Sequence, residues 1–225
     1  MKIIDVLPDL QMFHFEVGSA YLWRDGDELT LIDTGTADRA ATIEAALDGR
    51  RLRRIVLTHF HEDHCGSAAE LAERHGAEVV AHRLEAPVIR GEVAGPPPVL
   101  EEFELPIIAS LPPLPPAPPC RVDREVVDGD MVDFGGGALV VAAPGHTDGS
   151  LALYLPEPQV LFTGDAVANV GGLTMLGVFN TDRQRAIESF HRLAGLDVAT
   201  ALFGHGDPLT VAASDTLRAA ASSTR

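Results

Sequence analysis

The sequence predicts an α/β protein made of two β-rich halves, each covered by helices. Three observations lead there. Short runs rich in β-branched and aromatic residues, separated by turn residues, recur in both halves. Each group of runs is followed by segments whose apolar residues repeat at helical spacing. Hydrophobic residues fill 46% of the 225 positions and mean hydropathy is +0.11, enough for a sizeable core.

Strands are expected at residues 3–7, 12–17, 20–24 and 29–33, with turns such as "RDGDE" between them. "DTGTAD" breaks the pattern, and Asp38 is expected to cap a helix over 39–47 that stops near Gly49. A buried strand at 54–57 runs into "THFHEDH". A helix over 66–74 follows, with Ala68, Ala69, Leu71 and Ala72 as its apolar face and His75-Gly76 as its end. A strand at 79–81 and a short helix at 84–90 complete this half.

Residues 91–122 differ in composition. They hold ten of the 16 prolines, between Pro96 and Pro119. Proline lacks the N–H that helix interiors and sheet ladders need, so an irregular or extended arm is expected. Its apolar residues, among them Val99, Phe103, Leu105 and Ile108, should pack on the body as a brace or a lid. The second half returns to strands at 124–127, 131–134, 138–142, 151–155 and 160–163. A Gly-rich loop at 166–180 follows, then a helix over 183–193 capped by Thr181 or Asp182, a strand at 199–203 and a last helix at 211–221.

The formal charge of −16, from 33 acids against 17 bases, repels phosphate backbones and anionic lipids. Nucleic acid and membrane partners are therefore not expected. Cys65 and Cys120 form no CxxC pattern, and two cysteines do not make a disulfide scaffold. Without an apolar leader or a run of ~18 apolar residues, a cytoplasmic protein is expected.

Four strand ends share one feature. Apolar runs lead into His59, His61, Asp63 and His64, then into His146, into Asp165 and into His205. Gly145, Gly164 and Gly204 directly precede the last three of these sites, and glycine permits close backbone approach to a bound group. Carboxyl ends of neighbouring strands commonly meet in one region. Five histidines and two aspartates could therefore converge. Neutral imidazole and carboxylate suit zinc and similar first-row ions, whereas unpaired buried aspartates cost several kcal/mol each. Seven donors exceed one tetrahedral ion but fit two ions that share a carboxylate. A purely structural zinc site is disfavoured because the set contains no cysteine.

These residues carry a resemblance. "THFHEDH", "LIDTG" at 31–35, "PGHT" at 144–147, "TGD" at 163–165 and "GHG" at 204–206 resemble, in order, the motifs of the metallo-β-lactamase superfamily. The resemblance implies a four-layer αβ/βα sandwich, two facing mixed β-sheets with helices on the outer faces, formed by one domain over 1–225 with a Pro-rich insertion at about 91–122. It implies that His59, His61 and His146 hold one metal, and that Asp63, His64 and His205 hold a second, with Asp165 bridging. Asp63 and Asp165 are then the catalytic carboxylates, with Asp63 moving a proton. Asp33, Thr58 and Thr147 would orient the ligands. Phe60, Cys65, Met175 and Phe179 are candidates to line a pocket, with ordinary packing the alternative for each. His14, His75, His82 and His191 match no motif and are read as surface or satisfied histidines.

The resemblance further implies a hydrolase with two divalent metal ions, zinc first and iron or manganese as alternatives. A metal-bridging hydroxide would attack the carbonyl of a small ester, thioester, lactone or amide. Di-iron redox relatives carry a glutamate where this chain has His61, and the nucleic-acid-processing branch needs basic surfaces. Exported β-lactamases often carry cysteine or histidine where this chain has Asp165. Quorum-quenching lactonases carry a tyrosine near the position of Ala168, and thioesterases of the glyoxalase II type have a C-terminal helical domain with basic residues that this chain largely lacks. A mononuclear iron oxygenase acting on persulfides and a metal-binding scaffold without turnover are the alternative readings. Neither substrate nor oligomeric state is legible.

Overall fold

A computed structural model describes residues 1–224; Arg225, the last residue of the expected domain, lies outside them. Seven strands form the first sheet in sequence order: β1 (Lys2–Leu7), β2 (Leu10–His14), β3 (Ser19–Asp25), β4 (Glu28–Ile32), β5 (Leu52–Leu57), β6 (Glu78–His82) and β7 (Arg124–Val126). Tight turns join β1 to β4, so these pair antiparallel. Helical crossovers follow, and β4 to β7 therefore run parallel. The crossovers carry α1 (Ala40–Ala46), α2 (Glu62–Cys65), α3 (Ala68–His75), α4 (Ala86–Ile89) and α5 (Leu105–Ser110).

The second sheet has the order β14-β11-β10-β9-β8, built from β8 (Met131–Val132), β9 (Ala138–Ala142), β10 (Leu151–Leu155), β11 (Val160–Phe162) and β14 (Thr200–Leu202). A hairpin of β12 (Val167–Val170) and β13 (Leu173–Leu176) precedes α6 (Arg183–Ala194), and α7 (Ala213–Ser223) closes the chain.

Successive strand residues face opposite ways, so each sheet feeds two cores. Leu31, Ile55, Leu57 and Val79 face α1 and α3 through Ile43, Leu47 and Leu71. Ile32, Val56 and Val80 turn inward and meet Val140, Leu153 and Phe162 of the second sheet. Val141, Leu161 and Ala201 face outward and meet Ile187, Phe190 and Leu217. Three apolar layers between four structural layers make the αβ/βα sandwich.

Local structure departs from expectation at four places. Asp38 does not cap α1: it accepts from the Thr36 hydroxyl at 2.5 Å, and Arg39 holds the cap position without a side-chain bond. The helix expected over 66–74 forms as α3, but a separate short helix, α2, precedes it inside the histidine motif, where none was expected. The loop at 166–180 contains the hairpin β12–β13, turned by Gly171-Gly172, both at positive φ. The Pro-rich arm is partly helical. Glu101 and Glu104 close a capping box, and α5 tolerates Pro106 in its first turn, where the missing N–H has no helical partner anyway. Cys120 of the arm is buried in the body, but Val99, Phe103, Leu105 and Leu111 stay exposed.

Candidate metal centre

The ends of β4, β5, β9, β11 and β14 deliver Asp33, His59, His146, Asp165 and His205 to one edge of the sandwich, because these strands point the same way within their sheets. His61 sits just before α2, and Asp63 and His64 lie within it.

Three ring nitrogens converge first. His61 Nδ1 lies 3.1 Å from His59 Nε2 and 2.9 Å from His146 Nε2. The other nitrogens of the two outer rings are engaged elsewhere. His146 Nδ1 donates to the Val178 carbonyl at 3.1 Å, and His59 Nδ1 meets Thr58 Oγ1 at 3.0 Å. Three nitrogens at such separations share at most one proton among them, so lone pairs face one another unless a cation lies between. Burial pushes the pKa of His59 well below its usual value, lowers that of His61 and brings His146 down to about 4. All three are neutral at pH 7, the form that binds metal.

A second group meets the first at Asp165. His205 Nε2 lies 3.1 Å from Asp165 Oδ2 and 3.3 Å from Asp63 Oδ2. His64 Nε2 lies 3.2 Å from Asp165 Oδ1, yet both atoms are buried and neither has a hydrogen-bond partner. A close, misaligned and unsatisfied pair of a ring nitrogen and a carboxylate oxygen suits a shared cation. Gly204 makes room for the arrangement: a Cβ there would lie 1.8 Å from Asp165 Oδ1. Asp165 raises the pKa of His205 to about 10. For His64, burial opposes the change, but Asp165, Asp63 and Asp33 raise the pKa overall. Burial likewise opposes the low pKa values of Asp165 and Asp63, about 2 for Asp63, which the facing imidazoles impose. Ligand atoms in each of the trios His59–His61–His146, His59–His64–Asp165 and Asp63–His64–His205 lie within 4.8 Å of one another.

Asp33 joins both groups. Its Oδ2 accepts from His64 Nδ1 and from the Thr58 hydroxyl, each at 2.8 Å, and its Oδ1 accepts from Thr58 N–H at 2.8 Å. With its proton pointed at Asp33, Thr58 Oγ1 accepts from His59 Nδ1. One carboxylate thereby sets the tautomers of two histidines, leaving both Nε2 atoms toward the cluster.

Sequence reasoning missed Glu85. Its carboxylate, 1% exposed, accepts from Phe60 N–H (2.9 Å), Thr147 Oγ1 (2.9 Å) and Gly149 N–H (2.8 Å). It ties the loop of His59 and His61 to the loop of His146, and burial raises its pKa. "HRLEAP" carries no signal of this, since the partners are remote in sequence. Thr147 therefore works through Glu85 rather than on a ligand directly. Glu85→Ala is expected to lower stability by about 3 kcal/mol, because three buried donors lose their acceptor; urea unfolding measures it. Tyr21 was missed too. Its hydroxyl donates to the Phe203 carbonyl (2.6 Å) and accepts from Phe203 N–H (3.0 Å), pinning the strand end before His205. The hairpin holds the far side, where Asn169 accepts from Asp207 N–H.

Phe60 and Cys65 line a cavity of about 280 Å³ beneath the arm, together with Glu62, Ile89, Val93 and Pro116. Met175 and Phe179 are half-buried and do not line it. Glu62 is exposed. His75 and His82 are satisfied, by Glu44 and by Leu84 N–H respectively, but His14 Nδ1 is buried without a partner.

The sequence profile described as metallo-β-lactamase superfamily matches residues 15–205. A probable metallo-hydrolase of Bacillus subtilis is 34% identical over 201 residues, covering 80% of this chain and 76% of that protein. A hydroxyacylglutathione hydrolase of Rhizobium meliloti is 32% identical over 160 residues, covering 70% of this chain. The chain spans about half the length of that enzyme, 49%. Among solved structures, a metallo-β-lactamase family protein of Thermus thermophilus superposes with a TM-score of 0.70 at 27% identity, covering 96% of this chain and 78% of that one. A subclass B3 metallo-β-lactamase of Bradyrhizobium japonicum gives 0.73 at 22% identity over 100% of this chain and 90% of its own, a likeness of fold. No helix among the described residues is long and apolar enough to cross a membrane.

Proposed function

The chain belongs to the metallo-β-lactamase superfamily, and from that premise we propose that it is a binuclear metal-dependent hydrolase of a small ester, thioester, lactone or amide. The carrying observation is the pair of donor groups joined at Asp165, with buried ligand atoms left unpaired. One domain spans the chain in this reading, with residues 91–122 as its insertion. His59, His61 and His146 would hold one divalent cation. Asp63, His64 and His205 would hold another, and Asp165 would touch both. Histidine with carboxylate and no thiolate suits zinc, with iron or manganese as alternatives. Two such cations, when bound, would supply a water of pKa roughly 7 and would polarise the substrate carbonyl.

The chain's own residues orient and move protons. Asp33, Thr58 and the Val178 carbonyl fix the rings of His64, His59 and His146. Asp63, whose Oδ2 faces His205 Nε2 at 3.3 Å, is the carboxylate placed to take a proton and return it to the leaving group. The relatives named hydroxyacylglutathione hydrolases make thioesters the first class to try.

Metal analysis with a panel of chromogenic esters, thioesters and lactones tests the reading. Two zinc ions per chain and turnover that vanishes in His61→Ala support it. One iron per chain with oxygen consumption on a persulfide would replace it.

The two groups should also differ in pH response. In the metal-free protein His59, His61 and His146 are neutral at pH 7, whereas His64 and His205 carry protons. Filling the three-histidine group should release almost no protons. Filling the second should displace about two, so its affinity rises with pH toward 10. Calorimetry in buffers of different ionisation enthalpy reads the proton count.

A further inference from the structure

The Pro-rich arm reaches the metal centre through one side chain. Glu104 lies in an exposed segment yet is itself 1% exposed. Its Oε2 accepts from Glu101 N–H at 2.9 Å and closes the arm's own turn. Its Oε1 leaves the arm and accepts from Phe179 N–H at 2.8 Å. Phe179 has φ 61, a left-handed conformation that a bulky side chain adopts only where the surroundings enforce it. The preceding residue, Val178, offers the carbonyl that receives His146 Nδ1. The following residue, Asn180, accepts from Val99 N–H of the arm at 2.9 Å, and Thr181 N–H donates to the His146 carbonyl at 3.1 Å. The arm grips this loop from one side, and the loop grips His146 from the other.

We propose that Glu104 is a positioning residue for the metal centre. By holding Phe179 in its left-handed conformation, it aims the Val178 carbonyl at His146 and fixes that ring as the Nδ1–H tautomer, with Nε2 turned to the cluster. The arm is then part of the centre and not a detachable cover. The geometry stands by itself; its consequence for metal binding rests on His146 being a ligand, as proposed above.

The test uses the whole chain with ¹⁵N-labelled histidine, free of metal, at pH 8. Ring-nitrogen NMR of the wild type should show His146 as the Nδ1–H tautomer alone. Glu104→Ala should give a mixture of both tautomers, and Glu104→Gln, which keeps an oxygen for Phe179, should retain the single one. Cobalt(II) titration should show affinity lowered roughly 10–100-fold in Glu104→Ala, the range found when a group orienting a ligand histidine is removed. An unchanged tautomer in Glu104→Ala overturns the proposal. If that variant does not fold, deuterium exchange on the wild type decides. A Phe179 amide protected like those of β13 supports the proposal, and one exchanging at open-loop rates refutes it. A wild type that binds no cobalt would count against the metal reading while leaving the tautomer result intact.

Discussion

Gly204→Ala is expected to abolish turnover and to leave no more than one metal ion per chain. The added Cβ would lie 1.8 Å from Asp165 Oδ1 and 2.7 Å from His64 Cε1. The backbone has no room to retreat, because Gly204 N–H donates to the Gly164 carbonyl at 2.9 Å and Phe203 is clamped by the Tyr21 hydroxyl. Asp165 must therefore move, and it faces both donor groups. A displacement near 1 Å at reacting groups costs about 100-fold in rate, and loss of the shared carboxylate costs more. Mass spectrometry for bound metal and kcat/KM on the best substrate of the panel measure the two effects. The layered core lies elsewhere, so circular dichroism should match the wild type.

Asp33 should show a separation between stability and metal binding. The residue sits at φ 58, which asparagine and aspartate tolerate better than alanine. Asp33→Ala should lose stability by about 3 kcal/mol or more, because Thr58 N–H, Thr58 Oγ1–H and His64 Nδ1–H all lose their acceptor. Asp33→Asn keeps the backbone preference and one acceptor oxygen, so most of that stability should remain. Its amide, however, meets donors where a carboxylate oxygen stood, and His64 loses the partner that fixes its tautomer. Zinc affinity should fall roughly 10–100-fold. Urea unfolding beside zinc competition titrations separates the two variants. Equal zinc affinity in Asp33→Asn and wild type would remove Asp33 from the account of the site.

Much of this was legible in the sequence because the strands announce themselves. Runs such as 29–33, 54–57 and 138–142 are short, apolar and bounded by turns, and polar residues at their ends mark where same-direction strands finish. The motif residues His59, His61, Asp63, His64, His146, Asp165 and His205 do lie together in space. Local competition explains what was misread. Asp38 accepts from the Thr36 hydroxyl, and the cap position falls to Arg39. Gly171-Gly172 read as loop, although paired glycines flanked by "VANV" and "LTML" are also a hairpin signal. Proline density concealed α5, whose Pro106 occupies a position where proline costs nothing. Glu85 and Glu104 were invisible for a different reason. A buried glutamate that serves backbone N–H groups 64 and 75 positions away leaves no periodic trace, and only the folded chain shows what it holds.

Anomalous diffraction at the zinc edge, from crystals grown with zinc, shows whether two ions share Asp165. Two peaks about 3.5–4 Å apart are expected, one among His59, His61 and His146 and one among Asp63, His64 and His205, each within coordination distance of Asp165. Absence of density in both places, or a lone ion bound away from Asp165, would contradict the account.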